Sequence, residues 1–295
     1  MASAPLRRFM PILMRTVVPM IGCALRQRGS STKVKDEPRQ GLIAARQLAK
    51  LDNSKAKIDP SSDADLRPCL RRLLLLLGLM AFNYHRSCMH EPQFVNLTGH
   101  VDKILKYHND WRHGLANGNN VSLPRAARMV VMHWSDELAT VASYNVRMCQ
   151  AKHDDCRNTH NFTHSGQNII VFNMTRLVQD ELLESLYPEL LSIGVRNWWS
   201  EHNNMTKTDV ELYPCDKKRQ QYYRHFAVMA LESNSHVGCA AVRYVIKDVT
   251  YFKVTCNYAK DTVCGQPIYS FRTVGCLTGV NAKYKSLCSE KEVFA

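Results

Sequence analysis

Residues 237–258 read VGCAAVRYVIKDVTYFKVTCNY. Two apolar, β-rich runs, Val237 to Val245 and Tyr251 to Tyr258, flank Lys247-Asp248, which can turn between them, so the stretch reads as a β-hairpin. Cys239 and Cys256 lie on opposite arms at positions that can face each other, and a cross-strand disulfide is expected if the Cα spacing allows it. Upstream, the pattern is helical. Val101, Ile104, Leu105 and His108 recur at i, i+3, i+4, i+7. Gly114 and Asn117-Gly118 are expected to break that helix. Ser135 reads as the N-cap of a second helix, with Leu138, Val141, Ala142 and Asn145 on one face. Asn168 to Phe172 is short and β-branched, hence extended. Leu182 to Trp199 reads as a helix interrupted around Pro188, and Tyr223 to Leu231 as a further short one. Helices first and a hairpin later indicate an α+β sandwich, not a βαβ array.

The chain has 295 residues, 45% of them hydrophobic, which is ordinary for a globular protein and too high for a disordered one. With 13 Gly and 11 Pro it is neither collagen-like nor low-complexity. The net charge of +13 suggests nucleic acid until it is divided along the chain. Residues 1–84 hold 15 Lys and Arg against 6 Asp and Glu, leaving 24 against 20 for the remainder. The downstream part is nearly balanced, so a nucleic-acid partner is not expected.

Residues 1–67 show no sustained period and read as a disordered or non-native leader. Within 68–84, Arg71-Arg72 precede ten apolar residues, Leu73 to Phe82. That run fits the apolar core of a secretory signal and is too short for a bilayer span, which takes ~20 residues. Membrane contact is therefore expected only transiently, through this segment. A Cys-containing segment (85–97), a main domain (98–262) and a Cys-containing tail (263–295) follow. Nine of 11 cysteines lie after residue 85, and none forms a C-x-x-C pair. Dispersed in this way they read as disulfides of an oxidising compartment, and the protein as extracellular. Cys276 and Cys288 are close enough in sequence to close a local loop. Five N-x-S/T sequons, at Asn96, Asn120, Asn161, Asn173 and Asn204, are candidate glycosylation sites.

Several phrases resemble one family in order and spacing: His108-Asn109-Asp110-Trp111-Arg112, His133-Trp134 through Leu138-Ala139, Gly166-Gln167-Asn168, Trp198-Trp199-Ser200-Glu201, His225 through Met229, Val237-Gly238-Cys239, and Cys256-Asn257-Tyr258. Together they resemble the CAP superfamily (cysteine-rich secretory, antigen 5, pathogenesis-related 1), most closely its insect antigen-5-like, or venom-allergen-like, group. The resemblance implies a three-layer α-β-α sandwich with a mostly antiparallel sheet, and secretion. Beside it, Cys88 is paired with Cys149 as an expectation, and Cys276 with Cys288. Cys156, Cys215 and Cys264 are left unassigned, with one cysteine unpaired or intermolecular if the first 84 residues are removed.

The resemblance also implies a central cavity with two His and two Glu, able to hold a weak divalent cation such as Zn or Mg. Carried onto this chain, the late His is His225, the helix-end carboxylate is Glu201, and the early His is His153, with His160 and His164 as rivals. The second carboxylate position holds Gln167, whose neutral amide can neither act as a base nor add negative charge. Leu231 also stands where the family usually keeps Trp. His108 reads as a core or capping residue, Trp198 and Trp199 as packing, Asp154-Asp155 as a solvated loop pair, and Lys217-Lys218-Arg219 as a soluble turn. No cofactor is required. The expected function is a secreted, non-enzymatic module presenting a cleft and loops to a lipid, a small ligand or an extracellular protein. The alternative is a metal-assisted hydrolase or peptidase using His153, Glu201 and His225.

Overall fold

The structure is a computed structural model that describes residues 92–119, 122–174 and 178–294. The leader, the signal-like run, Cys88 and Asn120 lie outside the described residues. The hairpin forms from β4 (His236–Ile246) and β5 (Val249–Tyr258). Lys247 and Asp248 both take positive φ, 48° and 61°, as a two-residue turn matched to strand twist requires. This register sets Cys239 directly opposite Cys256, and the two are bonded with their Cα atoms 4.0 Å apart. The sheet is completed by β1 (Gln93–Val95) and β3 (Gly166–Met174), in the order β1-β4-β5-β3, antiparallel throughout. The two-residue β2 (His133–Trp134) joins β4 in parallel.

Alternation along β5 separates the two faces. Lys253 and Thr255 bond to Asn145 of α2 (Asp136–Val146), which covers one side. Phe252 stacks on Tyr187 of α3 (Asp180–Ser200), and Tyr258 meets His108 of α1 (Val101–Asn117), on the other. Three short helices follow α3: α4 (Lys207–Glu211), α5 (Lys217–Gln220) and α6 (Arg224–Ala230). The result is an α-β-α sandwich. The Ser135 hydroxyl accepts the Leu138 N–H at 3.2 Å and starts α2. Gly238 sits beneath that first turn, where a Cβ would lie 2.2 Å from the Ala139 nitrogen.

Two helix readings need correction. Gly114 stays inside α1, which ends instead at Gly118 with φ 83°. Pro188 does not interrupt α3, which is continuous over 21 residues. Proline removes one N–H from the ladder, but Leu183, Tyr187, Leu191, Val195 and Trp198 are all buried on either side of it. That continuous apolar stripe holds the helix through the lost bond.

The His108-Asn109-x-x-Arg112 phrase is a structural clasp. Asn109 exchanges two hydrogen bonds with the Met132 backbone, at 2.8 and 2.9 Å. His108 donates to the Ile104 carbonyl and accepts from the Tyr258 hydroxyl, and burial pushes its pKa down to about 4. Arg112 is fully buried and donates to the carbonyls of Met229, Leu231, Val130 and Glu232. Burial lowers its pKa to about 9, so it stays charged at neutral pH.

All eight cysteines among the described residues are bonded. Cys276 pairs with Cys288, and Cys215 with Cys264 across 49 positions, a link no local pattern announces. Cys149 and Cys156 are disulfide-bonded too. The tail is anchored by Glu292, which accepts from Leu277, Thr278 and Arg128. Among the described residues, no helix is long and apolar enough to cross a membrane.

Replacing Arg112 by Met leaves four carbonyls without their shared donor. Urea denaturation is expected to show a loss of about 3–5 kcal/mol. A change below about 1 kcal/mol would show that the clasp is not a structural keystone.

Candidate functional site

Glu201 begins the 3-10 turn that closes α3, and His225 is the second residue of α6. These neighbouring element ends bring the two side chains together. His225 Nδ1–H donates to Glu201 Oε1 at 2.6 Å, and the His225 backbone N–H donates to Oε2 at 2.9 Å. Oε2 also accepts from the Phe226 N–H. One carboxylate thus orients the imidazole and satisfies the open start of α6. The Trp198 indole stacks on His225, with ring centres 6.3 Å apart.

His153 meets Gln167 and not a carboxylate. Gln167 Nε2 donates to Asp154 Oδ2 at 3.1 Å and to Asn257 Oδ1 at 2.9 Å, so its oxygen must face the other way. That oxygen accepts from His153 Nδ1–H at 2.9 Å. The tautomer assigned by this network leaves a lone pair on Nε2, and Arg224 Nη2 donates to it. Burial is the main cause that lowers the His153 pKa, to about 4, with the Arg224 charge next and Arg157 and His225 adding to it. Asp154 is buried and not solvated: Asn145 Nδ2 and Gln167 Nε2 both donate to its Oδ2. Burial raises its pKa against the pull of those bonds. Only Asp155 of that pair is exposed.

These residues do not fit a divalent cation. The ring nitrogen of His153 that would face a metal is taken by a guanidinium, the second carboxylate is an amide, and Arg157 adds positive charge nearby. His160 and His164 are exposed, and among the described residues no group of three or more His, Cys, Asp or Glu could hold a metal ion. No sequence expectation named Arg224, which directly precedes the His225 through Met229 phrase.

Arg224 and Gln167 line a hollow of about 330 Å³, together with Lys217, Tyr213, Gln221 and Thr262. The basic run forms α5, not an open turn, because the Asp216 side chain caps the Lys218 N–H at 2.9 Å. Arg219 pairs with Asp209 at 2.7 Å, while Lys217 faces the hollow. A larger groove of about 640 Å³ has α1 and α3 residues in its walls and shares no lining residue with the hollow. Its aromatic wall is Trp111, stacked on Trp199 at 5.9 Å and 39% exposed.

Known proteins are similar to this chain in sequence. The family model described as the cysteine-rich secretory protein family (CAP) matches residues 105–258. Venom allergen-1 of Aedes aegypti is 34% identical over 211 residues, covering 70% of this chain and 79% of that protein. Antigen 5 like allergen Cul n 1 of Culicoides nubeculosus is 32% identical over 180 residues, covering 57% and 78%. Among solved structures, BmVAL-1 superposes with a TM-score of 0.49 at 21% identity, covering 65% of this chain and 94% of that one.

The network predicts how His153 titrates. An unfolded histidine takes up its proton near pH 6.5, whereas this one resists until about pH 4. Its contribution to stability is therefore complete above pH 6.5 and lost as pH falls toward 4. Nitrogen NMR of the ring is expected to show a neutral imidazole protonated on Nδ1 at pH 6. A charged ring, or a proton on Nε2, would contradict the assignment.

Proposed function

The chain belongs to the CAP family of cysteine-rich secretory proteins, and from that footing we propose that it is an exported, non-enzymatic binding protein. It takes a lipid, a small ligand or an extracellular protein through its hollow, its groove and the surrounding loops. The observation that carries this reading is the commitment of His153 between Gln167 and Arg224. A hydrolase of the metal-assisted kind needs an open metal position and a base matched to the water it activates. Here the early imidazole has both nitrogens engaged, so His153 and His225 cannot hold a metal between them without displacing Arg224.

Export is supported by the bonded cysteines, which persist in oxidising compartments. The sequon residues Asn96, Asn161, Asn173 and Asn204 are all exposed, as glycan acceptors need to be. The aromatic wall at Trp111 and Trp199 offers an apolar surface next to Arg196 and Asp110, which suits an amphipathic ligand.

The test is a turnover assay of the full chain on a peptide and ester library, with Zn²⁺, with Mg²⁺ and with chelator. The expected result is no hydrolysis above background in any condition. Metal-dependent turnover that disappears in a folded His225→Ala variant would overturn the reading in favour of the hydrolase.

A further inference from the structure

Arg224 is a half-buried cation with few partners. A guanidinium carries five N–H donors, and among the described residues this side chain makes one hydrogen bond, to neutral His153 Nε2. Among the described residues it forms no ion pair. Both carboxylates whose charge reaches it are engaged elsewhere. Asp261 pairs with Arg157 at 2.8 Å and accepts the Thr262 N–H, while Glu201 is held by His225 and the start of α6. Burial works against the charge, and among the described residues the charges of Asp261 and Glu201 do not fully compensate it.

A second unpaired cation faces the same space. Lys217 lines the hollow and likewise has no ion pair among the described residues. Gln221, Tyr213 and Thr262 add hydrogen-bonding neutral groups to the wall, and Val228 an apolar one. At about 330 Å³ the hollow has the size of a small-molecule site. Asp261 also lines it, but its negative charge is matched by Arg157.

We infer that this hollow is a binding site for a small oxyanion, a carboxylate or phosphate group, held by the free edge of the Arg224 fork and by Lys217. A planar guanidinium suits either group through paired N–H donors. The inference rests on the non-enzymatic binding reading and names its ligand chemistry.

The experiment is a heteronuclear NMR titration of the full chain at constant ionic strength, with inorganic phosphate in one series and sodium butyrate in another. At least one anion is expected to shift the amide signals of Lys217, Gln221 and Arg224 saturably. Arg224→Gln is expected to weaken that binding by at least about tenfold, and Lys217→Gln by about threefold. Silence of these signals with both anions would overturn the inference, as would unchanged affinity in Arg224→Gln. If Arg224→Gln does not fold, unchanged affinity in Lys217→Gln overturns it alone. None of these outcomes touches the turnover assay, so the anion site can fail while the non-enzymatic reading stands.

Discussion

The side-chain amide of Gln167 is hydrogen-bonded on both sides, to Asp154 and Asn257 on one and to His153 on the other, and the chemistry of the cleft follows from it. Asp154 presents an acceptor on one side, which places the NH₂ there, bonded also to Asn257 Oδ1, and the oxygen toward His153. The oxygen then takes the Nδ1 proton, and Nε2 is left as an acceptor for Arg224. A glutamate at this position would set its carboxylate against the Asp154 carboxylate, a like charge within hydrogen-bond distance. Gln167, Asp154, His153 and Arg224 therefore form one unit, in which the amide and the arginine each depend on the other residues.

That unit is tied into the rigid part of the fold. Asn145 of α2 donates to Asp154, accepts from Thr255 through its side chain, and accepts from Lys253 through its carbonyl. Lys253 is buried in the central strand, and burial pushes its pKa down to about 8 against the opposing pull of Asp154. The sheet and α2 thus hold the inner end of the chain of bonds, and α6 supplies its outer end at Arg224. His225 follows Arg224 on α6 but answers to α3 through Glu201. Two adjacent residues are in this way held by two different partners.

Much of the frame was legible because its signals are local. Period-two alternation, a two-residue turn and facing cysteines announce the β4–β5 hairpin, and Ser135 announces α2. The family phrases pointed to one cavity holding His153, Gln167, Glu201 and His225. What escaped depended on contacts distant in sequence. Arg224 meets His153 across 71 positions, and Cys215 meets Cys264 across 49. Asp154 looked solvated because an Asp-Asp pair in a loop is usually exposed, and only the fold places Asn145 and Gln167 over it. Pro188 looked like a break because propensity is local, whereas the buried stripe that carries α3 past it is a tertiary effect.

The central claim is that the cleft has exchanged a cation position for an arginine. Anomalous diffraction from crystals soaked in zinc tests it most directly. The account predicts no zinc peak between His153 and His225, with Arg224 still seated on His153 Nε2. A peak within about 2.1 Å of a ring nitrogen of both histidines, with Arg224 displaced, would contradict it.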